Sequence, residues 1–359
     1  MRNKCKRLHE SITHLTFERF VYYSRMSSIR NLPKKKATLK DVARTANVSI
    51  ATVSRVLNNS PSVTKKTKDH VNDVIQKLSF SPSPMARALN SGRTRTVGAL
   101  VPTLDHAIFS KFLEALEKRL SDHKHSLVIS TTNGSPKTEF EQATALLNMG
   151  AEALIVSGKQ RSLEFDALVK RFNVPVIITS YYDPNADYPS IGYDNAAISK
   201  LALNHFIEKQ YNTVAVIHGP TTDNDRTRDR LEGIKSDNRF SDVNYMEVAL
   251  SIDGGCQATR RIISSGQRPD VIFCLSDVLA LGVLFELQRN NISIPNDVAV
   301  MGFDNLEWAE HTVPPLTSIE LSVKDMGKHA ADEVCSFLNT GKPIDSVKLS
   351  GHLLKRETT

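Results

Sequence analysis

From Val97 onward, seven short apolar runs recur along the chain: TVGALVP, HSLVIST, AEALIVSG, VPVIITS, TVAVIHGP, DVIFCLS and DVAVMGFD. Each is rich in β-branched residues and nearly continuous in apolar character, as strands buried on both faces are. Segments with helical spacing of apolar residues lie between most of them, at Phe109–Leu120, Glu139–Met149, Ala196–Ile207, Ala258–Ile263 and Leu279–Leu287. Strands and helices in alternation predict parallel sheets with helices on both faces. About 260 residues of this pattern exceed what one such sheet usually needs, so two α/β lobes are expected.

The first hundred residues follow a different rule. Residues 1 to 95 hold 20 Lys plus Arg against 5 Asp plus Glu, and the remainder holds 26 against 34. A basic head on an acidic body points to a polyanionic partner for the head alone, the alternative being a solvated basic tail. Within the head, LKDVARTANVSIATVSRVLNNS encodes two short amphipathic helices that meet at Ala46, Asn47, Val48 and Ser49. Thr38 caps the first, with Asp41 at the capping-box position, and Leu39, Val42, Ala43 and Ala46 share one face. Ser49 caps the second, where Val53, Val56 and Leu57 form the matching stripe. Thr64 opens a third, with Val71, Val74, Ile75 and Leu78 turned inward.

Two helices joined so tightly form a helix-turn-helix, in which the second helix enters the major groove with its early residues against base edges. Ile50 and Ala51 offer small apolar surface suited to a thymine methyl. Arg55 can donate two hydrogen bonds to guanine, and Ser49, Thr52, Ser54 and Asn58 can contact phosphates or bases. The competing reading is a helical hairpin buried in a larger core. Beyond the third helix, SPSPMARALNSG allows only about two helical turns between Pro84 and Gly92, too few to be stable alone in water. It is a linker that becomes helical only against something else.

These motifs resemble the head of the lactose-repressor/galactose-repressor family of bacterial transcription regulators. The likeness rests on T-L-x-D-V-A, V-S-x-x-T-V-S-R-V-L-N and A-R-A-L, and continues through GFDN, PPLTSI and the closing HLLKRET. It implies an α/β protein with an all-α helix-turn-helix head, a hinge helix, and a two-lobed core like the periplasmic binding proteins. The boundaries expected are an extension at 1–36, the DNA-binding domain at 37–82, the hinge and linker at 83–95 and the effector-binding and dimerisation core at 96–359. The resemblance also implies a homodimer on double-stranded operator DNA. Thr38 and Ala86 join the DNA-contacting set, and Leu89 wedges into the central base step of the minor groove; unstacking there is offset by the contacts that bent DNA allows.

Ligands of open α/β sheets bind beyond the carboxyl ends of the strands. The residues just past each predicted strand are therefore the effector candidates: Phe109 to stack on a ligand face, Arg226 and Arg230 after TVAVIHGP, Asp277 after DVIFCLS, and Asp304 after DVAVMGFD. Arg230 and Asp304 also match effector contacts of the family. Acids and arginines around an aromatic suit a polyhydroxylated ligand, so a sugar or sugar acid is expected, with a purine or other metabolite as the alternative. No nucleotide-binding, hydrolase or metalloprotease motif is present, so neither enzymatic activity nor a cofactor is expected. The four cysteines, Cys5, Cys256, Cys274 and Cys335, are too scattered for a zinc site or disulfide framework. No apolar run suits a membrane span or signal peptide, which places the protein in the cytoplasm. Met26 is the expected translation start, and without a heptad tail after the last strand pattern a dimer is expected rather than a tetramer.

Overall fold

The computed structural model describes residues 37–57, 60–81, 92–240 and 243–359. The chain divides into two compact units, Met1–Ser91 and Gly92–Thr359. In the first, three helices surround a small core: α1 (Leu39–Thr45), α2 (Ile50–Leu57) and α3 (Lys65–Lys77). Thr38 and Asp41 form a full capping box at the start of α1: the Thr38 hydroxyl accepts from the Asp41 N–H at 3.3 Å and the Asp41 carboxylate from the Thr38 N–H at 3.0 Å. The turn into α2 is equally determined. Asn47 takes a left-handed φ of 51°, and the N–H groups of Asn47 and Val48 reach back to the carbonyls of Arg44 and Ala43. Val42, Val53 and Val71, one from each helix, are completely buried together.

The second unit contains two six-stranded sheets. The first lobe is built from β1 (Thr96–Val101), β2 (Ser126–Thr131), β3 (Ala153–Ser157), β4 (Val176–Thr179) and β5 (Ser190–Gly192), with α4 (Ala107–Asp122), α5 (Pro136–Asn148) and α6 (Leu163–Phe172) between them. The chain then crosses to the second lobe through α7 (Asn195–Glu208), β6 (Val214–His218), α8 (Asp225–Lys235), β7 (Val243–Glu247), α9 (Ile252–Ser264), β8 (Val271–Cys274), α10 (Asp277–Arg289), β9 (Ala299–Phe303) and β10 (Thr317–Leu321). It returns to the first lobe with α11 (Val323–Thr340) and β11 (Val347–Lys348), and crosses a last time to add β12 (Gly351–Leu354). The sheet orders are β11-β5-β4-β3-β1-β2 and β12-β10-β9-β8-β6-β7. Every pairing is parallel except that of β12 with β10.

All seven predicted strand runs are strands, and two sheets form as the chain length required. The periodicity missed five strands and three helices, for physical reasons. β5 and β11 are too short to show a pattern, and β7 is a half-exposed edge strand. In α8 only Leu231 and Ile234 are apolar among eleven residues, while α11 buries mainly small side chains such as Ala330, Ala331 and Cys335 against α4. Residues 92–95, expected to belong to the linker, fall in the second unit. Among the described residues no helix is long and apolar enough to cross a membrane.

Helices α9 and α10 touch through their backbones. A Cβ on Gly255 would lie 2.2 Å from the Leu279 carbonyl oxygen, and one on Gly282 would lie 2.1 Å from that of Ile252. Neither backbone can yield without separating the helices. Gly282→Ala is therefore expected to cost about 1–3 kcal/mol, and a thermal melt should show a lowered midpoint with the sheet content unchanged.

Candidate functional site

The packing of the head decides which side chains α2 presents outward. With Val53 and Val56 buried, the opposite face holds Ile50, Ala51 and Arg55, all exposed, and Thr52 and Ser54, half-buried. Ile50 is 43% exposed at the start of the helix, where an isoleucine serves no internal packing. The Ser49 hydroxyl accepts from the Thr52 N–H at 3.1 Å, so it caps α2 while remaining at the surface. Thr38 is exposed too, but its hydroxyl donates to Asp41 at 2.7 Å and is committed to the capping box. The three remaining expected DNA contacts, Asn58, Ala86 and Leu89, lie outside the described residues.

In the second unit the carboxyl ends of the two sheets face one another across a cleft of ≈ 430 Å³. Four of the five expected effector residues line it: Phe109 from α4, Arg226 and Arg230 from α8, and Asp304 after β9. The Arg230 guanidinium lies 3.7 Å from the centre of the Phe303 ring and donates to Asn195 at 3.1 Å and to the Leu275 carbonyl at 3.2 Å. Asp304 stands 3.9 Å from it and also accepts from the Ser276 hydroxyl at 3.3 Å. Burial pushes the Asp304 carboxyl up to about 6 against the pull of Arg230, and burial lowers Arg230 to about 10. Asp304 and Asn305 both have positive φ, 110° and 45°, so this loop is held in a conformation that side chains rarely adopt.

Asp277 is the exception. It is fully buried beside the cleft without lining it, accepting from the Leu306 N–H at 2.7 Å and the Ser318 hydroxyl at 2.6 Å. The effector contact expected of it is replaced by an internal one: it fixes the loop that carries Asp304. Burial, reinforced by the charge of Asp304, pushes its carboxyl up to about 7.

A second set of contacts crosses between the lobes beside Arg226. Arg226 donates to the Ser157 hydroxyl at 3.4 Å, pairs with Asp225 at 3.3 Å and lies 6.0 Å over the Phe109 ring. The Lys159 N–H donates to Asp225, and its ammonium pairs with Asp229 at 2.9 Å. The N-terminal turns of α8 are thus pinned to the end of β3 in the opposite lobe.

Comparison with known proteins matches both units. Residues 38–83 fit the family described as bacterial regulatory proteins, lacI family, and residues 94–357 fit that of periplasmic binding proteins and the sugar-binding domain of the LacI family. The chain belongs to the LacI family. Its relatives include catabolite control protein A of Staphylococcus epidermidis, 29% identical over 84% of this chain and 92% of that protein. The transcriptional repressor PurR of Vibrio atlanticus is 29% identical over 82% and 90% respectively. Among solved structures, the lac repressor dimer bound to operator and an anti-inducer has the same fold, with a TM-score of 0.83 at 24% identity over 90% of this chain and 99% of that one.

This LacI-family protein is accordingly a ligand-responsive, DNA-binding transcriptional regulator. Its cleft also contains residues that the strand pattern did not single out. Tyr193 comes directly after β5, is almost completely buried and lines the cleft, and its hydroxyl has no hydrogen-bond partner among the described residues. His106 stacks against Phe109 at 6.4 Å and 19°, and burial holds its imidazole below the usual range. Asn195, the first residue of α7, is buried outside the cleft lining, where it accepts from Arg230 and donates to the Ser180 carbonyl of the first lobe at 3.0 Å. The rule that cleft residues sit just past strand ends would have found Tyr193 had three-residue β5 been visible. Removing the Asp277 carboxylate would leave the Leu306 N–H and the Ser318 O–H without their acceptor in the interior. Asp277→Ala is expected to lower the unfolding free energy of the core by about 2–4 kcal/mol, measured by urea denaturation.

Proposed function

We propose that this protein represses carbohydrate-utilisation genes in the cytoplasm, binding double-stranded operator DNA as a homodimer and taking a neutral sugar as effector. The observation that carries the effector assignment is the pairing of charge in the cleft. Arg230 has Asp304 as its counter-ion and Arg226 has Asp225, so neither arginine calls for an anion on the ligand. What a ligand meets instead is the oxygens of Asp304 and the rings of Phe109 and His106, with the buried Tyr193 hydroxyl, which has no hydrogen-bond partner among the described residues, in the cleft wall. Buried hydroxyls need partners, and a sugar ring has an apolar face for an aromatic. The stacked pair His106–Phe109 favours a second reading, a planar nucleobase, and PurR is among the relatives.

On the DNA side, Ser49, Ile50, Ala51, Thr52, Ser54 and Arg55 present the reading face, and Thr38 and Asn58 add to the contacts. In the linker, Ala86 and Leu89 enter the minor groove as two protomers pair. The lac repressor structure is described as a dimer on operator, which supports this arrangement. Ligand binding and DNA binding are coupled, and about 1–3 kcal/mol would change operator occupancy five- to 150-fold.

Three measurements test these assignments. A thermal-shift panel of neutral sugars, sugar acids and nucleosides should give its largest shift with a neutral sugar, because a ligand at 100 times its Kd adds about 2.7 kcal/mol; a shift confined to acids or nucleosides refutes the choice. Ionised Asp304 is the better acceptor for ligand hydroxyls, and its carboxyl titrates at about 6. Lowering the pH from 7.5 to 5 should therefore weaken sugar binding by up to about tenfold, and Asp304→Asn should flatten that dependence. On DNA, selection from a random duplex library should yield a near-palindromic site. Arg55→Ala should cost about 1–3 kcal/mol there and relax preference at one base position per half-site.

A further inference from the structure

Residues 93–95, between the DNA-binding head and β1, are seated on a single carboxylate. Glu152 accepts from the Arg93 guanidinium at 2.7 and 3.1 Å, from the Arg95 N–H at 2.8 Å and from the Thr94 hydroxyl at 3.3 Å. Burial would raise this carboxyl, yet the bonds from Arg93 and from the Arg95 backbone together hold it below the usual range. Thr94 has a second seat, on Gly150. It packs where a Cβ on Gly150 would lie, 2.7 Å from its methyl, and it bonds the Gly150 carbonyl at 2.5 Å. Arg93 in addition donates to the Leu338 carbonyl near the end of α11 at 2.9 Å.

Three elements start or end at this junction, and each leads to the effector cleft or to a residue that lines it. β1 runs from Thr96 toward Pro102 and Thr103 in the cleft lining. β3 runs from beside Glu152 to Ser157, which meets Arg226. The 18 residues of α11, about 27 Å long, run from Val323 and Met326 in the cleft to Leu338 under Arg93. A shift of any of these elements moves one of the groups that grip residues 93–95.

We propose that Glu152, with Arg93, is the positioning clamp through which the state of the cleft reaches the DNA-binding head. This rests on the reading above that the head grips DNA. Loosening the clamp leaves both binding sites intact and disconnects them, since coupling is reciprocal and needs a shared element with two arrangements.

DNA itself serves as the probe. Leu163 and Val313, each 85% exposed and on different lobes, are replaced by cysteine and spin-labelled in the full chain, with Cys5 changed to serine; Cys256, Cys274 and Cys335 are buried. The duplex is one that the unmodified protein recovers from a random library. With the clamp intact, adding this duplex should shift the distance between the lobes. In Glu152→Gln and in Arg93→Ala the shift should vanish while affinity for the duplex stays within roughly threefold, and Arg93→Lys should retain it. An equal shift in the variants, or bound DNA with no shift in the unmodified protein, overturns the clamp. Recovery of no duplex by the unmodified protein is a different result, and it sinks the DNA-binding reading together with the clamp.

Discussion

A guanidinium out of water must be paired, and in this protein Arg230 is paired by groups from several segments of the chain. Phe303 and Asp304 come from the end of β9, the Leu275 carbonyl from the end of β8, and Asn195 from the start of α7. Asn195 in turn holds the Ser180 carbonyl of the opposite lobe. The strand ends that form the cleft are therefore arranged around one cation as well as by their sheets. Asp304 is held in place twice, by Arg230 and by the loop that Asp277 secures from beneath. Burial drives both carboxyls up, and the charge of Asp304 adds to the effect on Asp277, which is why both titrate well above the ordinary aspartate range.

Much of this arrangement was readable from residue order alone, and the parts that were not share a cause. Nearly continuous apolar runs located seven of the strands, and period-3.6 spacing located the helices with wide apolar stripes. The head was plain because Thr38, Asp41, Asn47 and Ser49 each carry local turn or cap chemistry that needs no tertiary context. Phe109, Arg226, Arg230 and Asp304 could be expected at the cleft because they come after recognisable strands. Asp277 was misassigned by the same rule. The residue after a strand can point into the cleft or beneath it, and only the path of the Leu306 loop decides which. Tyr193 escaped because three residues of β5 give no period, and Glu152 because nothing local distinguishes a surface acid from one that several distant donors approach.

The two units differ in how they use polar groups. In the head, hydroxyls and amides cap helix ends and leave a face on which Ile50, Ala51 and Arg55 are exposed. In the core, polar groups buried at the strand ends bridge the lobes, and few are free to change partners without cost. A regulator needs both: a surface that water covers until DNA replaces it, and an interior whose alternatives are few. The short segment at residues 93–95 lies where the two designs meet, and its groups are satisfied by the core.

The route of the chain has a consequence for biosynthesis. The first lobe lacks β11 and the apolar cover that α11 provides over α4 until residues 323–348 have been made, by which time most of the second lobe is already available. The helical head has its own hydrophobic cluster, drawn from residues between Leu39 and Phe80. On the ribosome the head can close early, whereas α4 must wait with Phe112 and Leu116 uncovered through some two hundred further residues of translation, at about 5–20 residues per second an interval of tens of seconds. The nascent chain thus becomes able to meet nucleic acid well before it can sense anything, and the exposed face of α4 is where a chaperone would find its hold.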